Sequence, residues 1–147
     1  KYGEKLKDFT YTVPENGFYD PGYGLNSKTV TLTTYSKNLI ELVPNRVGSI
    51  DQGVKYSGDV NAICRFKIIP CMKPNDFDGG RPFLIVIEAK KIHIYETTAD
   101  PRHTGGLRYY FAVDRPNDLT DDKLAKVTGI EFPVVNGRLE TAVWHYD

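Results

Sequence analysis

Arg81-Pro82-Phe83-Leu84-Ile85-Val86-Ile87-Glu88-Ala89-Lys90-Lys91-Ile92-His93-Ile94-Tyr95-Glu96 is the most apolar and β-branched run of the chain, and its reading decides the fold. It reads as a central strand. Leu84 to Ile87 are apolar without a break, the pattern of a strand covered on both faces. From Ile92 to Glu96 the pattern alternates, Ile92 and Ile94 against His93 and Tyr95, so this half is expected to turn one side to solvent or ligand. A helix is the weaker reading, because Ile85, Val86, Ile87, Ile92 and Ile94 are stiff at χ1 and Pro82 would have to occupy its first turn.

Outward from this run the chain carries further strand signals at fairly regular spacing. Thr29-Val30-Thr31-Leu32-Thr33-Thr34-Tyr35 alternates, and Asn38 to Val43 is a second strand stopped by Pro44. Residues 45–58 hold Gly48, Gly53 and Gly58 and read as a long loop with one short edge strand at Gly53 to Tyr56. Val60 to Ile69 reads as a strand, joined by the turn-rich residues 73–80 to the central run in an antiparallel hairpin. Leu107 to Val113 is another strand. One helix of about ten residues is expected, capped by Asn117, Asp118 or Thr120, with Leu124 and Val127 buried, Lys126 in its last turn and Gly129 as its left-handed stop. Ile130–Val135, the pair Asn136-Gly137 and Arg138–Tyr146 make a closing hairpin, with Trp144, Ala142 and Tyr146 on one face. Seven or eight strands and one helix predict an all-β fold, an antiparallel sandwich or barrel of jelly-roll-like form.

The 147 residues suit a single domain. Nineteen basic and nineteen acidic side chains leave no net charge, so nothing draws the whole molecule to nucleic acid or an anionic membrane. No apolar run reaches the length of a membrane span, and a soluble protein is expected, its compartment left open by the sequence, with virion and cytoplasm as candidates. Lys1 in place of Met suits a processed product or a piece of a longer chain. Residues 1–26 stand apart from the domain of residues 27–147: Tyr2, Phe9, Tyr11, Phe18, Tyr19 and Tyr23 are interleaved with glycines and prolines. This is an aromatic arm, too apolar to stay solvated, expected to lie on its own domain or on a neighbouring subunit.

Cys64 and Cys71 in one straight strand would be more than ~20 Å apart at about 3.3 Å per residue, beyond the ~7 Å reach of a disulfide. Unless Pro70 folds the chain back, they read as free thiols acting as small buried hydrophobes. Cys64, Cys71, His93 and His103 match no zinc spacing, and no cofactor is implied.

Pro74-Asn75-Asp76 followed by Glu88-Ala89-Lys90 resembles the PD-(D/E)xK pattern of restriction-type nucleases over about seventeen residues. The resemblance implies Asp76 or Asp78 with Glu88 holding Mg²⁺, and Lys90 orienting water for phosphodiester hydrolysis. The α/β core with flanking helices that such nucleases share is not what this strand pattern predicts. A second grouping is non-catalytic: Arg65, Lys67, Lys91, His93, Tyr95, Arg108, Tyr109 and Tyr110 put cations and aromatics on strands able to neighbour one another. Such a face stacks bases and neutralises phosphates, or consists of ordinary cross-strand pairs. The leading expectation is a non-enzymatic structural or assembly module, coat- or shell-like, that makes homo-oligomeric or partner contacts through residues 1–26 and its loops. A nucleic-acid-binding barrel and a Mg²⁺-dependent nuclease follow.

Overall fold

In the computed structural model the described residues are 2–12, 29–43, 53–69, 83–97, 107–131, 134–135, 138–139 and 142–146. Strands β1 (Lys5–Thr12), β2 (Thr29–Tyr35), β3 (Leu39–Val43) and β4 (Val54–Lys55) form an antiparallel sheet in that order. The alternation seen in the sequence sets its faces: Val30, Leu32, Ile40 and Leu42 are buried on one side. The β2–β3 turn is tight because Asn38 takes a left-handed conformation, φ 57°, which asparagine tolerates better than most residues. The β4 segment falls where the glycine-bounded edge strand was expected.

A second antiparallel sheet has the order β5 (Arg65–Ile69), β6 (Phe83–Ile87), β7 (Lys91–Thr97), β8 (Leu107–Asp114). Here the reading of the central run needs correction. It is two strands, not one. The chain reverses at Glu88-Ala89-Lys90, Ile87 faces Ile92 across the ladder, and the Glu88 N–H donates to the Lys91 carbonyl at 2.8 Å. Glu, Ala and Lys are weak strand formers, but no Gly, Pro, Asn or Asp marks this turn. The expected hairpin into the run is present as β5 against β6, Arg65 opposite Ile87 and Ile69 opposite Phe83. Its first half differs: Val60–Ala62 is a 3-10 turn, capped by the Asp59 carboxylate accepting from the Asn61 N–H.

The β5–β8 sheet is buried on both faces. Leu84, Val86, Phe66, Ile68 and Tyr95 meet Val30, Leu32, Ile40 and Leu42 of the first sheet in one cluster, to which Tyr56, Val60 and Ile63 also belong. Ile85, Ile87, Ile92, Ile94, Phe83 and Ile69 form a second cluster with Leu119, Leu124, Val127 and Ile130. All five residues of β6 are fully buried, and at about 1.5–3 kcal/mol for each large aliphatic side chain this strand dominates the core.

The second cluster is covered by α1 (Asp121–Ala125), β9 (Val127–Glu131) and β12 (Val143–Tyr146), β9 and β12 pairing antiparallel. The helix is shorter than expected. Thr120 is its cap, accepting from the Lys123 N–H, and Lys126 ends it; Val127 and Gly129 belong to β9 instead. In the closing hairpin β10 (Val134–Val135) pairs with β11 (Arg138–Leu139) around a two-residue connection. Trp144 and Ala142 pack on the second cluster, whereas Tyr146 is exposed beyond a register irregularity at His145/Tyr146.

The all-β expectation therefore holds, with strands in antiparallel sheets and one short helix. Both four-stranded sheets follow the chain sequentially; a jelly roll requires strands that alternate between sheets, and the described order contains none. Part of the expected arm, Lys5–Thr12, is a strand of the first sheet. Phe9 and Tyr11 pack against the core cluster, and Tyr2 lies edge-on to Tyr35 at 4.9 Å between ring centroids. Phe18, Tyr19 and Tyr23 lie outside the described residues.

Candidate functional site

The Glu88-Ala89-Lys90 turn divides its own side chains. Glu88 reaches toward Tyr56 and His93, while Lys90 lines an open cleft of about 650 Å³ with Cys64, Arg115, Asn117 and Asp121. The carboxylate and ammonium that the nuclease pattern needs on one metal-bound water are thus engaged in different surroundings. Asp76 and Asp78 lie outside the described residues. Among the described residues no group of three His, Cys, Asp or Glu side chains is placed to hold a metal ion.

The cation and aromatic grouping also separates. Arg65 and Lys67 stand on the α1 side of β5. The Lys67 ammonium donates to the carbonyls of Leu124, Ala125 and Val127 at 3.0, 3.2 and 3.0 Å, closing the end of the helix, and Arg65 sits 3.7 Å from Asp121. Lys91 pairs with Asp114 at 3.0 Å in solvent. His93 and Tyr95 belong to the other side of the sheet and are buried, 3% and 0% exposed, against the expectation that this side of β7 meets solvent or ligand. The Tyr95 hydroxyl donates to the Lys55 carbonyl at 3.0 Å. The side chains of Arg108, Tyr109 and Tyr110 lie outside the described set. The described members of the grouping do not form one surface.

What the fold does assemble is a polar cluster where the β6–β7 turn meets the segment after β4. The Tyr56 hydroxyl donates to Glu88 Oε2 at 2.7 Å. His93 Nε2 stands 3.1 Å from the same oxygen, close enough for an ion pair but without hydrogen-bond alignment. On the other side of the ring, Ser57 Oγ lies 3.0 Å from His93 Nδ1. Tyr56 packs on the imidazole at 4.7 Å between centroids and stacks on Tyr95 at 6.4 Å. Gly58 closes the arrangement: a Cβ there would run into the Glu88 carboxylate and the His93 ring, so only glycine lets the backbone lie so close.

Burial sets the protonation of this cluster. It lowers the His93 pKa from its ordinary 6.5; the nearby Glu88 carboxylate pulls upward, and Lys91 adds a smaller downward push. The ring is therefore neutral at pH 7, one nitrogen donating and the other accepting. Tyr56 is pushed far above the ordinary phenol value by burial and by its bond to Glu88, so it remains a donor. Sequence reasoning found His93 and Glu88 but placed them in separate readings. It missed Tyr56 and Ser57, because Tyr56-Ser57-Gly58 carries only a turn signal.

Cys64 is an exposed free thiol whose sulfur lies 3.7 Å from the Ala62 carbonyl, not the buried small hydrophobe expected; Cys71 lies outside the described residues. No helix among the described residues is long and apolar enough to cross a membrane. Fold and site together define an all-β chain with a buried Tyr-His-Glu cluster opening on one exposed serine. Compared with known protein families, curated proteins and solved structures, the chain matches none.

Proposed function

We propose that the chain is a structural module that assembles with copies of itself through open strand edges, β1 foremost. The observation that carries this reading is the position of β1. Among the described residues it is the outermost strand of its sheet, four successive residues, Lys5 to Asp8, are exposed, and Leu6 projects a large apolar side chain that is 42% exposed. Edge strands present unpaired N–H and C=O groups that template pairing with another chain. A second edge supports the same reading: β12 pairs only with β9 among the described residues, and its Val143 and Tyr146 are 42% and 44% exposed. One edge joining the other on the next copy is a heterologous contact, the kind that builds rings or open arrays. The charges Lys5, Lys7 and Asp8 along β1 would set register and partner choice, since like charges facing each other across a ladder are destabilising.

Deleting residues 1–26 would remove a strand of the first sheet along with any subunit contact, so the reading is tested with point variants. Light scattering coupled to size exclusion on the full chain, over a hundredfold range of concentration, is expected to show masses above that of one chain. Leu6→Asp and Val143→Asp are each expected to shift that distribution toward the single chain. A wild-type chain that stays at one-chain mass throughout defeats the reading.

A further inference from the structure

The Ser57, His93 and Glu88 arrangement has a chemistry that an assembly module does not use. A neutral imidazole with a carboxylate at one nitrogen and a serine hydroxyl at the other is the set of roles by which a hydroxyl is made nucleophilic. The ring is turned end for end relative to the familiar serine hydrolases, with serine at Nδ1 and carboxylate at Nε2. Either nitrogen can accept provided the other donates. His93 is held by burial and by the Tyr56 ring, Glu88 is held by the Tyr56 hydroxyl, and Ser57 itself is exposed. The exposure of Ser57 leaves its hydroxyl open to a molecule arriving from solvent. The imperfect alignment at Nε2 is of the kind that tightens when substrate binds.

We propose that Ser57 is an activated nucleophile, with His93 as its general base and Glu88 as the residue that positions and supports His93, acting on carboxylic esters that approach from solvent. Ser57 Oγ attacks the ester carbonyl carbon while its proton passes to His93 Nδ1, and Glu88 Oε2, 3.1 Å from Nε2, offsets the charge of the imidazolium that forms. The tetrahedral adduct collapses, the C–O bond to the leaving alcohol breaks, and the alcohol leaves with the proton from Nδ1, giving acyl-Ser57. Water then attacks the acyl carbon, His93 takes its proton and returns it to Ser57 Oγ, and the carboxylic acid is released. The Gly58 N–H, next in the chain after the nucleophile, is the nearest amide along the chain for the developing oxyanion.

The test uses the intact wild-type chain and a fluorophosphonate probe, which phosphonylates activated serines. Intact-mass and peptide-level spectrometry are expected to show one label per chain, on Ser57. No label, or label elsewhere, overturns the proposal. His93→Gln is expected to slow labelling about 10²–10⁴-fold, the usual contribution of a general base; an unchanged rate in a folded His93→Gln chain also overturns it. For Glu88, the readout is the pH profile of labelling. In Glu88→Gln the acid limb is expected to move to lower pH, because the carboxylate that favours the imidazolium is gone while Lys91 remains; a profile that does not move removes Glu88 from the relay. Labelling is independent of oligomeric state, so this test and the light-scattering test fail separately.

Discussion

The two faces of the β5–β8 sheet are built from the same strands, yet they solve burial differently. Toward α1 and β9 the sheet offers Ile69, Phe83, Ile85, Ile87, Ile92 and Ile94, an aliphatic surface met by Leu119, Leu124, Val127 and Ile130. Toward the first sheet, Leu84, Val86, Phe66 and Ile68 are accompanied by buried Tyr56, Tyr95 and His93, each with a polar atom that needs a partner. The first face is sensitive above all to volume. The second ties its stability to hydrogen bonds and to protonation, and its polar end, at the β6–β7 turn, is where the candidate site stands.

The largest difference is expected from truncation on the aliphatic face. Ile85→Ala leaves a void in a fully buried site and is expected to cost about 2–5 kcal/mol, read as a lower denaturant midpoint. Tyr56→Phe, on the other face, keeps the ring and its packing but leaves Glu88 Oε2 without its hydroxyl donor; the Glu88 side chain is 14% exposed, so water reaches it only in part, and about 1–3 kcal/mol is expected. A loss for Tyr56→Phe as large as that for Ile85→Ala would mean that the cluster, not the aliphatic layer, holds the sheets together.

The same contrast predicts a pH dependence carried by His93 on the polar face. The native pKa of His93 lies below 6.5 because burial disfavours the charged ring, with Lys91 pushing the same way and Glu88 opposing both. As pH falls below 6.5 the unfolded chain takes up a proton that the native chain refuses, so the stability contributed by the neutral ring is intact at pH 7 and is lost as pH falls toward the native pKa. The loss is at most about 1.4 kcal/mol per pH unit in that window. His93→Gln is expected to flatten it, as seen by comparing the two denaturation midpoints at pH 7 and pH 5.

How much of this was legible follows the same division. The aliphatic layer was readable from the pattern, since the unbroken run Leu84–Ile87, rich in β-branched residues and preceded by Pro82, fits a strand covered twice better than a helix, and the alternation of Val30 and Leu32 with threonines set the first sheet. The reversal at Glu88-Ala89-Lys90 was not, because it uses residues with no turn signature and is fixed by the pairing of Ile87 with Ile92. That single missed turn concealed the site: on one long strand Glu88 and His93 would be five residues apart, whereas the hairpin brings the carboxylate and the imidazole together. The partners Tyr56 and Ser57 come from a segment that only tertiary packing brings to the turn. Glu88 and Lys90 matched a motif by spacing, yet the turn directs them into different surroundings.

The smallest effects are expected where the first sheet ends in solvent. Leu6 lies at a register irregularity between Lys5 and Lys7 on β1 and is 42% exposed, so Leu6→Asp gives up only part of a side chain's burial and is expected to lower the stability of the single chain by no more than about 1 kcal/mol. Its consequence should appear only when copies meet, as a lower mass at high concentration. If instead the variant unfolds at markedly lower denaturant while still dilute, Leu6 is holding β1 to its own sheet. The edge would then be a finished part of one chain, not a surface awaiting another.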